Sequence, residues 1–396
     1  MSGPLDGLRV LELTRNAPTP GAYCAMMLSD LGADVVSILP SSGRNREDVW
    51  GLSRGNDENV RAHEAIARNR RNTMLNLRLQ EAREVFYKLL EKADIVMEGF
   101  RPGATKRMGV DYDTVREKNP RIIYCSLTGY GQTGTYKDMV GHDINYISVA
   151  GALSIIRETG RKPLPPSNIL GDFAGGAMQA AIGILSAVLA RERTGKGQYL
   201  DVAMVDGVIS LMNIAVSGHL RSGGQGASEG HMLSGKMPQY TTYETKDGKF
   251  ISVGALEPPF FVNLCKAIGR DDLIGLEWRM DKWDELSASF AETFLTKTRD
   301  EWWAILQQSE TCAAPVLELG DVFSDPHVKE RDMLVELDHP KLGKVKQVGI
   351  PFKFSDTPCK VRSFAPAPGQ HTDEVLLEAG YSQQEISTLR ELGAIA

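Results

Sequence analysis

The chain is poor in cysteine, with five in 396 residues (24, 125, 265, 312 and 359), none in a CxxC pair or at ligand spacing from a histidine. That scarcity argues against a disulfide framework and against structural zinc, and it fits a reducing compartment. Positive charge is not in excess either: 45 basic residues stand against 51 acidic ones, dispersed along the chain, for a net charge of −6. No electrostatic footprint for nucleic acid stands out, and none is expected as a partner. Long apolar runs are missing, since no window reaches the roughly 18 consecutive apolar residues that cross a bilayer, and no membrane is expected. The start, MSGPLDGLRVLEL, lacks the basic end and apolar stretch of a secretory signal, and the end, GAIA, is no peroxisomal address. The cytoplasm is the expected compartment. TRNAPTPGAY, which follows the first apolar run, holds no GxGxxG, and no Walker A motif occurs. Nicotinamide, flavin and P-loop chemistry thereby lose their main sequence support. No internal repeat is found.

What the chain does have is 42% hydrophobic content over a length that suits two domains. In the first third, short apolar runs alternate with helix-like segments: LRVLELT, GAYCAMMLSDLG, ADVVSIL, then EAREVFYKLLEKA, DIVMEGF, YDTVREKN and RIIYCSLTG. Such alternation predicts an α/β class domain, a Rossmann-like open parallel sheet with crossover helices, whose ligands belong at the strand C-termini. GDFAGGAMQAAIGILSAVLARERTGKGQ (171–198) predicts a long, largely buried helix with a Gly-containing stop, and DVAMVDGVISLMNIAVSGHL (201–220) a second helical run. The Gly/Ser-rich RSGGQGASEG (221–230) is the linker candidate. Beyond it, YTTYETKDGKFISVGAL predicts a hairpin turning at Asp247-Gly248, followed by Trp- and Leu-rich helices to about residue 325. The expected division is a large domain over 1–205 with 330–396 returning to it, a linker over 206–230, and a smaller α+β domain over 231–329.

Asp172 lies between the loop PPSNILG and an apolar helix, where free N–H groups and the helix dipole favour negative charge. It reads equally as an N-cap; Gly171, Ala174, Gly175 and Gly176 would let a ligand or another backbone approach closely. His142, in GHDINY, opens a predicted helix through INYISVAGALSII and is either a proton carrier or a solvated structural residue, with Asp143 a further cap candidate. Glu257, in VGALEPPFF, stands at a strand end beside two prolines and two phenylalanines, an odd place for a buried charge. RPGATKRMG places Arg101, Lys106 and Arg107 after a strand, where an anion would dock or a basic turn would simply be solvated. No metal site is expected.

Taken together, PLDGLRVLELT, GHDINY, PPSNILGDFAGG, ARERTGKGQYLDVAMVDG, VGALEPPF, GQHTDEVL and GYSQQEI resemble the family III coenzyme A transferases, within them the α-methylacyl-CoA racemases most closely. The resemblance implies an interlaced homodimer whose active site lies between the large domain of one subunit and the small domain of the other. It implies catalytic roles for His142 and Asp172, with Glu257 near the histidine, and in the transferases a nucleophilic role for Asp172. Coenzyme A contacts carry over to Leu75, Arg78, Gly99, Phe100, Arg107, Met108 and Tyr146; CoA enters as part of an acyl-CoA thioester, with no separate cofactor. One departure is plain: the arginine that relatives place at position 40 is Pro40 here, and whether Arg44 or Arg46 takes its place is left open by the sequence.

Racemising a 2-methylacyl-CoA takes two opposed acid/base groups, and His142 and Asp172 supply such a pair. N–H groups at the start of the Asp172 helix are expected to receive the charge that develops on the thioester oxygen. Transfer of CoA needs instead an attacking carboxylate and a guard over a labile anhydride, for which formyl-CoA-type transferases carry a run of glycines. HMLSGKMPQYTTYE offers only Gly235.

Overall fold

A computed structural model describes residues 3–13, 19–41, 57–157, 160–223 and 232–396. Six parallel strands, β1 (Arg9–Leu13), β2 (Asp34–Pro40), β3 (Arg71–Leu75), β4 (Ile95–Glu98), β5 (Ile123–Thr128) and β6 (Tyr199–Ala203), form one sheet in the order β3-β2-β1-β4-β5-β6. This is the doubly wound order, which reverses between β1 and β4 and leaves a crevice at the strand C-termini there.

The two-residue period of a strand explains why both faces are apolar. Leu11, Leu13, Val36, Val96 and Tyr124 join one core with α2 (Gln80–Leu90) and the C-terminal helices α12 (Thr372–Glu378) and α13 (Gln383–Glu391). Their alternates Val10, Val35, Ile95, Met97, Ile123 and Cys125 join the other core with α1 (Pro20–Asp30) and the Asp172 helix. The returning C-terminus is tied down at its end by a bridge between Ile395 and Leu75.

The chain forms two compact units, residues 1–150, 167–211 and 326–396 in one and residues 151–166 and 212–325 in the other. The second holds the expected hairpin, β7 (Tyr240–Glu244) with β8 (Phe250–Gly254), turning through Gly248 at φ +72°. β9 (Ala313–Pro315) adds a third antiparallel strand. Apolar faces of Pro258–Ala267, Trp283–Phe294 and Arg299–Leu306 close its core around Phe261, Phe290, Phe294 and Trp302.

The helical run expected over 201–220, which enters the expected linker, is present as α7 (Met204–Leu211) and α8 (Asn213–Arg221) directly after β6. Residues 224–230 of that linker, like Arg44 and Arg46, lie outside the described residues. The structure differs from the sequence reading in three places. β6 takes the first residues of what reads as helix, because nothing between Ala203 and Met204 interrupts the apolar run. The helix from GHDINY stops at Val149, and Gly151 at φ +89° breaks it. Finally, Ile169–Thr194 is continuous over 26 residues with a mean hydropathy of 1.7 in its most apolar window, long and apolar enough to cross a membrane by length and composition alone. It holds no run of 18 consecutive apolar residues, since Asp172, Gln179 and Ser186 interrupt it. Ala180, Ile184 and Ala187 of this helix are buried, whereas Ile182 and Leu189 are exposed.

Candidate active site at the strand C-termini

Parallel topology carries the candidate residues of the larger unit to one edge of the sheet. Leu75 ends β3, Gly99 and Phe100 follow β4, and Arg107 and Met108 end the short helix α3 (Ala104–Met108). His142 opens α5 (Asp143–Val149) after β5. Asp172 lies near the start of α6, a wide π-helix over Ile169–Ala177 that continues as α-helix through Met178–Thr194 and leads into β6. A helix preceding a parallel strand runs antiparallel to it, so its start faces the same edge.

Asp172 is not the helix cap. Asn168 holds that position, and Asp172 lies one turn in, with Asn168 Nδ2 3.4 Å from its Oδ2. What satisfies the helix start is Asp143, whose Oδ2 accepts the Gly171 N–H at 2.6 Å and the Asp172 N–H at 2.7 Å. Its other oxygen, Oδ1, is buried without a hydrogen bond. Burial and then the charge of Asp143 push the Asp172 carboxyl up to about 6, against smaller opposing effects of Asn168 and His142. Those two N–H groups are thereby taken by Asp143.

The glycines around Asp172 serve backbone approach. A side chain at Gly171 would meet Asp143, one at Gly175 would meet Val208 and the Met204 carbonyl, and one at Gly207 would strike the Gly175 carbonyl at 1.9 Å. The π-helix is thus seated closely on α7 and on Asp143.

His142 is exposed at the cap of α5, with its backbone N–H donating to Asn145 Oδ1 at 3.0 Å. Tyr146, one turn on, packs its ring over Gly129 and donates its hydroxyl to the Gly141 carbonyl at 2.5 Å. Burial, then the charge of Asp172, pushes the phenol up to about 12, so it stays neutral and supports the loop carrying His142. Leu75 has its side chain in the core and its carbonyl accepting from Ser41 at 3.3 Å, beside its register partner Pro40. Arg78, Gly99 and Arg107 are exposed, while Phe100 and Met108 pack partly into the core below. Glu257 caps Pro258–Ala267 in the second unit, exposed, with its carbonyl accepting from Phe260 and Phe261 at 3.1 Å each. Among the described residues no group of three or more His, Cys, Asp or Glu side chains could hold a metal ion.

The site thus sets a carboxyl raised toward neutrality within electrostatic reach of a histidine, on the edge of a doubly wound sheet where ligands bind. The family model for CoA-transferase family III matches residues 5–372, and the chain belongs to that family. It is 37% identical to the α-methylacyl-CoA racemase of Homo sapiens over 389 residues, 97% of this chain and 96% of the relative. It is 35% identical to the succinyl-CoA:mesaconate CoA-transferase of Haloarcula marismortui over 390 residues, 96% of this chain and 97% of the relative. A solved CaiB/BaiF family protein from Brucella suis superposes with a TM-score of 0.81 at 28% identity, covering 96% of this chain and all of the other.

Proposed function

We propose that the chain interconverts the R and S forms of a 2-methylacyl-CoA thioester, with His142 and Asp172 as acid and base on opposite faces. One group takes the α-proton, the electron pair of the broken C–H bond moves into the thioester as an enolate, and the other group returns a proton to the opposite face. Atoms and charge balance with coenzyme A as part of the substrate and no separate cofactor. The observation that carries the reading is the Asp172 carboxyl, raised to about 6 by burial and Asp143, because a group poised near neutrality both accepts and donates a proton. Similarity to the human and mouse racemases, at 37% and 34% identity, supports it. The same proposal includes a homodimer in which Glu257 is supplied from the small domain near the histidine.

In deuterium oxide, proton NMR of a 2-methylacyl-CoA with the enzyme is expected to show loss of the α-proton signal from either enantiomer. The similarity to the Haloarcula transferase favours a second reading, in which the Asp172 carboxylate attacks the thioester to give a mixed anhydride and CoA thiolate. The thiolate attacks the aspartyl carbonyl and expels the first acid, and a second carboxylate runs the two steps in reverse to leave as its CoA thioester with Asp172 restored. A hydroxylamine-trapped acyl group on Asp172, with no α-exchange, would replace the first reading by the second.

Asp143→Asn separates charge from shape, since the amide oxygen still accepts from Gly171 and Asp172. Loss of the negative charge lowers the Asp172 value, so its base form persists to lower pH. The acidic limb of α-exchange, expected near 6 in the wild type, should move to lower pH in this variant. An unmoved limb would show that Asp143 does not tune Asp172.

A further inference from the structure

Glu98, the last residue of β4, is 2% exposed. Its Oε2 accepts the Phe100 N–H at 2.7 Å, and Ser126, its register partner on β5, donates to the same carboxylate. Tyr199 on β6 in turn donates its hydroxyl to Ser126 Oγ at 3.1 Å, so a directional chain of donors runs from the sheet edge to the carboxylate. Beside it, Tyr124 donates to the Val110 carbonyl at 2.9 Å and meets Thr105 of α3, fixing the short helix that carries Arg107 and Met108. The catalytic scheme above uses none of these groups. A buried carboxylate at a strand end is costly unless its acceptors are filled, and here one of the groups that fills them is the backbone of the exposed Gly99-Phe100 turn.

We propose that Glu98 is a positioning residue, whose carboxylate holds the Gly99-Phe100 turn in the geometry that binds the CoA portion of the substrate. The inference rests on the reading of this edge as an acyl-CoA site. Burial pushes the Glu98 carboxyl up to about 6, opposed by the bonds from Ser126 and Phe100. The charged neighbour that acts on it is Asp201 of β6, which raises it further; Tyr124 and Tyr199, also against it, are themselves pushed up and stay neutral, as does the buried Cys125. Deprotonated above about 6, the carboxylate makes charge-assisted bonds; protonated below it, the bonds are neutral and the turn loosens.

The test is calorimetric titration of the wild type and Glu98→Gln, each in an Asp172→Asn background that removes the other carboxyl near 6, on either side of pH 6, with both enzymes shown to be folded by circular dichroism. The ligand is 3′-dephospho-CoA, since the 3′-phosphate of CoA titrates near about 6 by itself. Wild-type Kd should rise about fivefold on acidification, the difference between a charged and a neutral hydrogen bond. Glu98→Gln, whose amide oxygen still accepts from Phe100, should show the weaker Kd at both pH values with no step. A step that persists in Glu98→Gln, or wild-type affinity in that variant at neutral pH, overturns the positioning role and leaves the acyl-CoA reading intact. Failure of folded wild type to bind either CoA or its dephospho form takes down both.

Discussion

Replacing Asp172 with asparagine is expected to lower racemisation of a 2-methylacyl-CoA by about 10²–10⁴-fold, the usual worth of one acid/base group. Asparagine keeps the size of the side chain but neither takes nor gives a proton, so the loss reports chemistry. A stability measurement separates this from misfolding. The folded-state value of Asp172 is raised to about 6, above that of an ordinary carboxyl, so the native chain holds this proton more tightly than the unfolded chain does. Stability tied to that proton is present below the ordinary carboxylate range and is lost as pH rises through about 6. At neutral pH the buried charge near Asp143 therefore destabilises the native state, and the asparagine variant should melt higher than the wild type. The difference should vanish in acid. Thermal melts at the two pH values, run beside chiral chromatography of the products, check both halves. An inactive variant that melts lower at neutral pH would make Asp172 a structural residue.

The parts of this molecule that could be read from its sequence are those fixed by local pattern. Val10, Leu11, Leu13 and their counterparts in β2, β4 and β5 show in one dimension the alternation that fills two cores in three. The Asp247-Gly248 turn is equally local. Asp172 was legible as a candidate through its glycines, yet those glycines admit α7 and Asp143 rather than a ligand. Asp143 was legible as a cap, but the helix start it serves was hidden, because Gly171 and Asp172, which reach its carboxylate, lie 28 and 29 residues on. Glu98 was hidden for a similar reason: at the end of the strand run DIVMEGF nothing local marks it as enclosed, and only the pairing of β4 with β5, and of β5 with β6, brings Ser126 and Tyr199 to it. A signal for both lies in the glycines that follow them, at Gly99 and Gly171, where backbone amides can come close to a carboxylate.

His142 presents the sharper test, because its ring is exposed and a structural role for it would be weak. In His142→Ala, racemisation should fall by about 10²–10⁴-fold in both directions, since a complete cycle needs an acid on one face and a base on the other. Deuterium exchange should not fall equally. Asp172 can still remove the α-proton from the enantiomer that presents it to that face, exchange it with solvent and return deuterium to the same face, giving labelling without inversion. The other enantiomer, which presents its proton to the missing imidazole, should lose exchange. Asp172→Asn should show the opposite preference. In His142→Ala the exchange that remains should follow the Asp172 limb near 6. Incubating each pure enantiomer in deuterium oxide and following the α-proton by NMR gives four rates. The two-base arrangement requires that the fast enantiomer switch between the variants; a single base swinging across the enolate would leave the surviving variant labelling both enantiomers at one rate.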